Sequence, residues 1–284
     1  MSARSAPRPL EVLRTVAQLW TPDAFESVAP TTTLRGGDVH ARAAVDLYLP
    51  ERPTGDTLVL VHGGGFIVGS RRMKPMRLLS TRLRALGITV ASVTYRKIPE
   101  RLGRRGAPIA AALADVVAGA SAVLDALPGY GLPSSRVTLA GLSAGGTLAL
   151  LAADRLPWVA QVVGVFGLYD FGHLTGPFAG LLPPLTTGSR DPAEWRRWSP
   201  MTYAGPYQPT HLLHGTADAL VPVAQAQRLH ADREAIGRAG TLTLFEGAPH
   251  AFFNTPGPFA ERGIDVLAER ILTLSARLDA GRVG

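Results

Sequence analysis

No cysteine occurs among the 284 residues, which excludes disulfides, thiolate nucleophiles and cysteine-ligated zinc and leaves no thiol for redox chemistry. Lysine is nearly absent as well, occurring as Lys74 and Lys97, so the formal charge of +7 is carried by arginines spread along the chain. Charge dispersed in this way does not make the basic patch that nucleic acid requires, and no nucleic-acid partner is expected. Two local clusters stand out, Arg101 with Arg104 and Arg105, and Arg196 with Arg197 between Trp195 and Trp198. No stretch reaches the roughly 18 continuous apolar residues of a membrane span. Neither the histidines nor the carboxylates fall into a metal-ligand spacing such as H-E-x-x-H, so no metal or other cofactor is expected. Serine/glycine linkers, charge blocks and internal repeats are also missing, which predicts one domain over residues 41–284 behind an extension over residues 1–40. The first residues are basic but run into Glu11, Arg14 and Gln18 rather than an apolar core. They do not read as a secretion signal, and a soluble, cytoplasmic protein is expected.

What the chain does have is a regular alternation of β-branched runs and helical stretches. Extended residues 43–49 precede a strand over 58–61, a helical stretch near 75–85 leads to a strand over 88–94, and an alanine-rich helix over 107–127 leads to a strand ending at Ala140. Further strands are expected over 159–166, 210–214 and 241–245. Strands alternating with helices predict an α/β fold around a mostly parallel sheet, and 46% hydrophobic residues suffice to cover that sheet on both faces. Active sites in such sheets lie at the carboxyl ends of the strands.

Several motifs fall at those ends. Gly141-Leu142-Ser143-Ala144-Gly145 stands between the strand and a small, apolar helix-forming stretch, the setting of a nucleophile elbow, in which a sharp turn projects the Ser143 hydroxyl outward. Upstream, the apolar run 57–61 enters His62-Gly63-Gly64-Gly65-Phe66, whose bare backbone N–H groups can point at an anion. Downstream, Asp218 lies on the loop after 210–214, and His250 lies in the turn Gly247-Ala248-Pro249-His250 after 241–245. The chain order nucleophile, acid, histidine is that of α/β-hydrolases.

With Tyr95-Arg96 followed by Pro99-Glu100, and with His214-Gly215-Thr216-Ala217-Asp218, these motifs make the chain resemble the esterase and lipase branch of the α/β-hydrolases. It is similar to hormone-sensitive-lipase-like and bacterial feruloyl-esterase-like carboxylesterases over roughly residues 40 to 275. The motifs are specific for fold and triad and weakly specific for substrate, since one fold hosts many chemistries. The resemblance implies an α/β-hydrolase fold with a small cap and a serine hydrolase acting through an acyl-enzyme. Ser143 would attack, His250 would act as base and acid, and Asp218 would orient the histidine. The N–H groups of Gly64, Gly65 and Ala144 would hold the oxyanion. Leu142 stands where many hormone-sensitive-lipase relatives carry Asp, which favours the feruloyl-esterase-like side.

The cap is expected to be lean, built from residues 171–199 and an amphipathic helix over 10–20 with Leu13, Val16 and Trp20 on one face. Phe66, Tyr169, Phe252 and Phe253 are candidates for lining the acyl or alcohol pocket, with a place in the packed core as the alternative for each. His62 and His214 read as residues that tie their loops, Asp170 as a structural carboxylate and the runner-up triad acid, and His173 as a surface histidine or a substrate contact. The expected partner is a small-molecule ester, short-chain or aryl, for a monomer or homodimer. An amidase or arylformamidase with the same triad is the nearest alternative, and a non-catalytic ligand-binding receptor is a third.

Overall fold

The structure, a computed structural model, describes residues 15, 17, 18, 21–35, 44–101, 103–175 and 178–280. Eight strands form one sheet: β1 (Thr32–Leu34), β2 (Val45–Tyr48), β3 (Thr57–Val61), β4 (Thr89–Val93), β5 (Val137–Leu142), β6 (Gln161–Val165), β7 (Thr210–Gly215) and β8 (Gly240–Phe245). Their order across the sheet is β1-β2-β4-β3-β5-β6-β7-β8, with β1 and β2 antiparallel to their neighbours and all other pairs parallel. The central strands are buried along their whole length because helices cover both faces. Side chains alternate between those faces. Val59, Val61 and Leu139 pack with α2 (Pro108–Ala126) and α3 (Ala144–Ala153), whereas Leu58, Leu60 and Ala140 pack with α1 (Lys74–Ala85) and α7 (Pro258–Ala280).

Chain order reverses at β3, whose neighbours are β4 on one side and β5 on the other. Loops leaving β3 and β5 therefore part to opposite faces and open a crevice between them, the place where open α/β sheets take their ligands. The glycine loop follows β3 and the serine elbow follows β5. Buried ion pairs pin the surrounding frame. Asp46 in β2 pairs with Arg71, at 2.9 Å, and with Arg72, and accepts a hydrogen bond from Thr33. Burial by itself would raise its carboxyl, but the two guanidiniums outweigh that and hold it below the usual carboxylate range. Arg96, just after β4, grips Asp115 of α2 through one guanidinium edge, Nε donating to Oδ2 and Nη2 to Oδ1, each at 2.8 Å.

Residues 108–130 make a helix long and apolar enough to cross a bilayer by length and composition. Here Ile109, Ala112, Leu113, Val116, Ala120 and Val123 bury its inner face against the sheet. The expected cap segment is a 3-10 turn over Phe171–His173 followed by α4 (Leu182–Thr187) and α5 (Pro192–Arg197). Most of the expected helix over 10–20, including Leu13, Val16 and Trp20, lies outside the described residues; Thr15, Ala17 and Gln18 are helical. The helix α6 (Ala224–Ala235) completes the covering layer.

Candidate active site

Ser143 is the residue between β5 and α3, and its backbone is held at φ 52°, ψ −119°, a region that non-glycine residues rarely occupy. The neighbouring sequence makes this turn possible. A Cβ on Gly141 would lie 2.0 Å from the Gly145 carbonyl oxygen, and one on Gly145 would lie 2.4 Å from the carbonyl oxygens of Val61 and His62. Elbow and glycine loop thus approach each other at backbone distance, which only glycine allows. The Ser143 N–H donates to Val165 at 2.9 Å, tying the elbow to the end of β6.

The Ser143 hydroxyl lies 3.0 Å from His250 Nε2, and His250 Nδ1 donates to Asp218 Oδ2 at 2.7 Å. Asp218 Oδ1 accepts the N–H groups of Leu220 at 2.9 Å and Val221 at 2.8 Å. Burial by itself would raise this carboxyl, yet the two histidines beside it outweigh burial and hold it well below the usual carboxylate range. A hydroxyl, an imidazole and a carboxylate are therefore joined by hydrogen bonds in the arrangement that nucleophilic catalysis needs, although the sequence separates Ser143 from His250 by 107 positions.

The glycine loop turns through three successive positive φ angles, 110° at Gly64, 60° at Gly65 and 62° at Phe66. The Gly64 carbonyl accepts from Ile67 and Val68, both at 3.0 Å. Beneath the loop, His62 is fully buried, stacks on Tyr95 with centroids 4.1 Å apart, and donates from Nδ1 to the Gly63 carbonyl at 2.7 Å. Burial pushes its pKa down to about 3, so it is a neutral tie and not a base. Gly64, Gly65 and Ala144 border the same cavity as Ser143 and His250. Ala144 opens α3, where the N–H has no acceptor within the helix.

That cavity has a volume of about 310 Å³. Phe66, Ile67 and Val68 wall it from the glycine loop, Leu174, Phe178 and Leu182 from the cap, and Leu220 and Val221 from the acid loop. Three aromatic candidates take the packed-core alternative. Tyr169 is fully buried behind the helix that follows Ser143, where Gly164 and Gly167 leave room for its ring, and Phe252 packs into a cluster with Phe166, Phe245 and Phe253. Phe253 likewise belongs to that cluster, so Phe66 alone of these candidates borders the cavity. A residue that the sequence reading passed over is Phe166. Its φ of 38° swings the ring edge-on against His250, with centroids 4.9 Å apart. The available signal was its position at the carboxyl end of the strand beside the nucleophile.

Asp170 and His173 lie apart from this relay. Asp170 caps the 3-10 turn through Gly172 N–H and accepts from His173 Nδ1 at 2.6 Å, with Arg228 3.6 Å away. His173 is exposed and does not border the cavity. Among the described residues, no group of three or more His, Asp or Glu side chains is arranged to hold a metal ion.

Sheet order, elbow and relay agree with a comparison against protein families, in which the BD-FAE model matches residues 45–232. The chain belongs to the BD-FAE family. Among curated relatives of this BD-FAE member, an acetyl-hydrolase of Streptomyces hygroscopicus is 33% identical over 226 residues, covering 72% of this chain and 69% of the relative. A probable isoprenylcysteine alpha-carbonyl methylesterase of rice, Oryza sativa subsp. japonica, is 27% identical over 269 residues, covering 84% of this chain and 62% of the relative. The chain thus spans about two thirds of the length of these relatives. Esterase B from Lactobacillus rhamnosis superposes with a TM-score of 0.75 at 19% identity, covering 96% of this chain and 94% of that one. At that identity the likeness speaks for the fold, which is the α/β-hydrolase fold.

Proposed function

We propose that the protein is a serine carboxylesterase that cleaves small, uncharged esters with short-chain or aryl groups. The observation that carries this reading is the unbroken hydrogen-bonded path from Ser143 through His250 to Asp218 at the wall of an apolar cavity. His250 Nε2 takes the Ser143 proton as the hydroxyl oxygen attacks the ester carbonyl, and Asp218 stabilises the imidazolium that forms. The carbonyl oxygen becomes an oxyanion held by the N–H groups of Gly64, Gly65 and Ala144, donors aimed before charge develops. Collapse breaks the bond to the alkoxy oxygen, which leaves with the proton from His250, and an acyl-Ser143 ester remains. Water then repeats the sequence, giving its proton to His250 and releasing the acid.

The names of both curated relatives fit this chemistry. One specifies an acetyl group and the other a methyl ester, each a small group on one side of the scissile bond. A panel of p-nitrophenyl acetate, butyrate and octanoate with methyl ferulate and N-formylkynurenine tests the proposal. Turnover of the esters with little or none of the formamide is expected. A preference for N-formylkynurenine would move the assignment to an arylformamidase, and binding of every compound without turnover would make the chain a receptor.

A further inference from the structure

His214 lies in β7 with no solvent exposure, and the chemistry derived above gives it no part. Its Nε2 is 3.0 Å from the Val221 carbonyl oxygen and 3.1 Å from Asp218 Oδ2. A carbonyl and a carboxylate can only accept, so Nε2 carries the hydrogen. The other ring nitrogen, Nδ1, is buried without a hydrogen-bond partner, so the ring offers one donor in one direction.

The partners of Asp218 show what that donor completes. Oδ1 accepts from Leu220 and Val221 N–H, and Oδ2 accepts from His250 Nδ1 and faces His214 Nε2. An ionised carboxylate has about four acceptor sites; three are filled by these hydrogen bonds, and the fourth faces His214 Nε2–H, which donates to the Val221 carbonyl and lies 3.1 Å from Oδ2. We propose that His214 is a positioning residue for the triad, whose Nε2–H, shared between the Val221 carbonyl and the open site on Asp218 Oδ2, fixes both the direction and the strength of the carboxylate's pull on His250. The proposal rests on the reading of Ser143, His250 and Asp218 as the reacting relay.

A consequence for pH follows. Among the described residues, His250 is the titratable group hydrogen-bonded to Asp218, His214 faces the same oxygen at 3.1 Å, and Asp218 is the charged group bonded to His250. The ring packed edge-on against His250 is Phe166, which carries no charge. Removing the His214 donor leaves more of the carboxylate's charge directed at His250, which stabilises the imidazolium. The acidic limb of kcat/KM should then move to higher pH. A role confined to tying the acid loop would lower the fraction of folded enzyme and leave that limb in place.

The test compares His214→Leu with His214→Gln, whose side-chain amide restores a donor, with rates expressed per serine titrated by a phosphonate inhibitor. We expect His214→Leu to lose roughly ten- to a hundred-fold in kcat, the scale of one hydrogen bond to a charged group, with KM little changed. Its acidic limb should rise by about half a pH unit or more, and His214→Gln should recover most of both effects. An unmoved limb in His214→Leu, with His214→Gln no better, would overturn the proposal. Should His214→Leu not fold, nitrogen-15 NMR of the wild-type histidines decides instead. A His214 Nε2–H proton shift that moves when Asp218→Asn is introduced supports the proposal, and the Nδ1–H tautomer, or an Nε2–H shift that ignores Asp218→Asn, sinks it. Ser143→Ala in the same series separates the two failures, because retained turnover there would discard the relay itself.

Discussion

At Ser143 a strained backbone and a hydrogen bond to His250 meet in one residue, so truncating its side chain should silence the chemistry without disturbing the packing. Ser143→Ala is expected to lose on the order of 10³-fold or more in p-nitrophenyl acetate hydrolysis, with an unchanged circular dichroism spectrum. Wild-type turnover in this variant would remove the elbow from the mechanism. The two carboxylates considered for the acid differ in what they touch. Asp218 contacts His250, whereas Asp170 caps a turn and pairs with an exposed histidine. Asp218→Asn should therefore lose about 10⁴-fold in kcat through the wrong histidine tautomer, and Asp170→Asn far less; the opposite ranking would transfer the role. Asp218 also ties stability to pH. Its folded carboxyl sits below the usual value, so its contribution is complete above the unfolded pKa of about 3.9 and is lost as pH falls toward the folded value. The gap in urea midpoint between wild type and Asp218→Asn should narrow between about pH 5 and pH 2, and a gap that widened would reverse the assigned sign.

The elements around the site depend on glycines for two separable reasons, space and backbone angle. A side chain at Gly141 would collide with the Gly145 backbone at 2.0 Å, whereas one at Gly65 would meet nothing within 4 Å and faces only the strain of φ 60°. Gly141→Ala should consequently fail to fold or lose more than about 4 kcal/mol, and Gly65→Ala should lose about 1 to 2 kcal/mol in urea unfolding. Equal losses would mean that close approach does not define the elbow. The strands and motifs around these glycines were legible because buried β-branched runs and glycine turns are local signals. β1 was not, since Thr32–Leu34 is three half-buried residues paired at the sheet edge. Nor was α6, in which few side chains are buried and no apolar stripe repeats. Tyr169 and Phe252 were misplaced for a different reason. Both follow strand ends where the chain turns through positive φ, at Phe166 and Ala251, and the side on which a ring emerges from such a turn is a tertiary outcome. The room left for Tyr169 by Gly164 and Gly167 was its one sequence trace.

On the scale of the whole molecule, the cavity exists because segments far apart in sequence converge above the sheet. Thr15, the glycine loop, the cap residues Leu174, Phe178 and Leu182, the acid loop and Asn254 all border it, and Asn254 Nδ2 donates to the Thr15 carbonyl at 3.1 Å. The sequence suggested a lean cap and a short-chain or aryl ester, and the size of this cavity gives a preference for short acyl chains a physical basis. About 310 Å³ lies at the small end of the roughly 300–1,000 Å³ of small-molecule pockets, and both halves of an ester must share it. While a methylene enters the apolar wall it adds at most about 0.8 kcal/mol, and once the space is filled the next one remains in water and adds nothing. Across a series of p-nitrophenyl esters, kcat/KM should rise from acetate by a few-fold per methylene, peak by about six acyl carbons and then fall. An optimum at twelve or more carbons would require a groove beyond this cavity and would make the protein a lipase rather than a short-chain esterase.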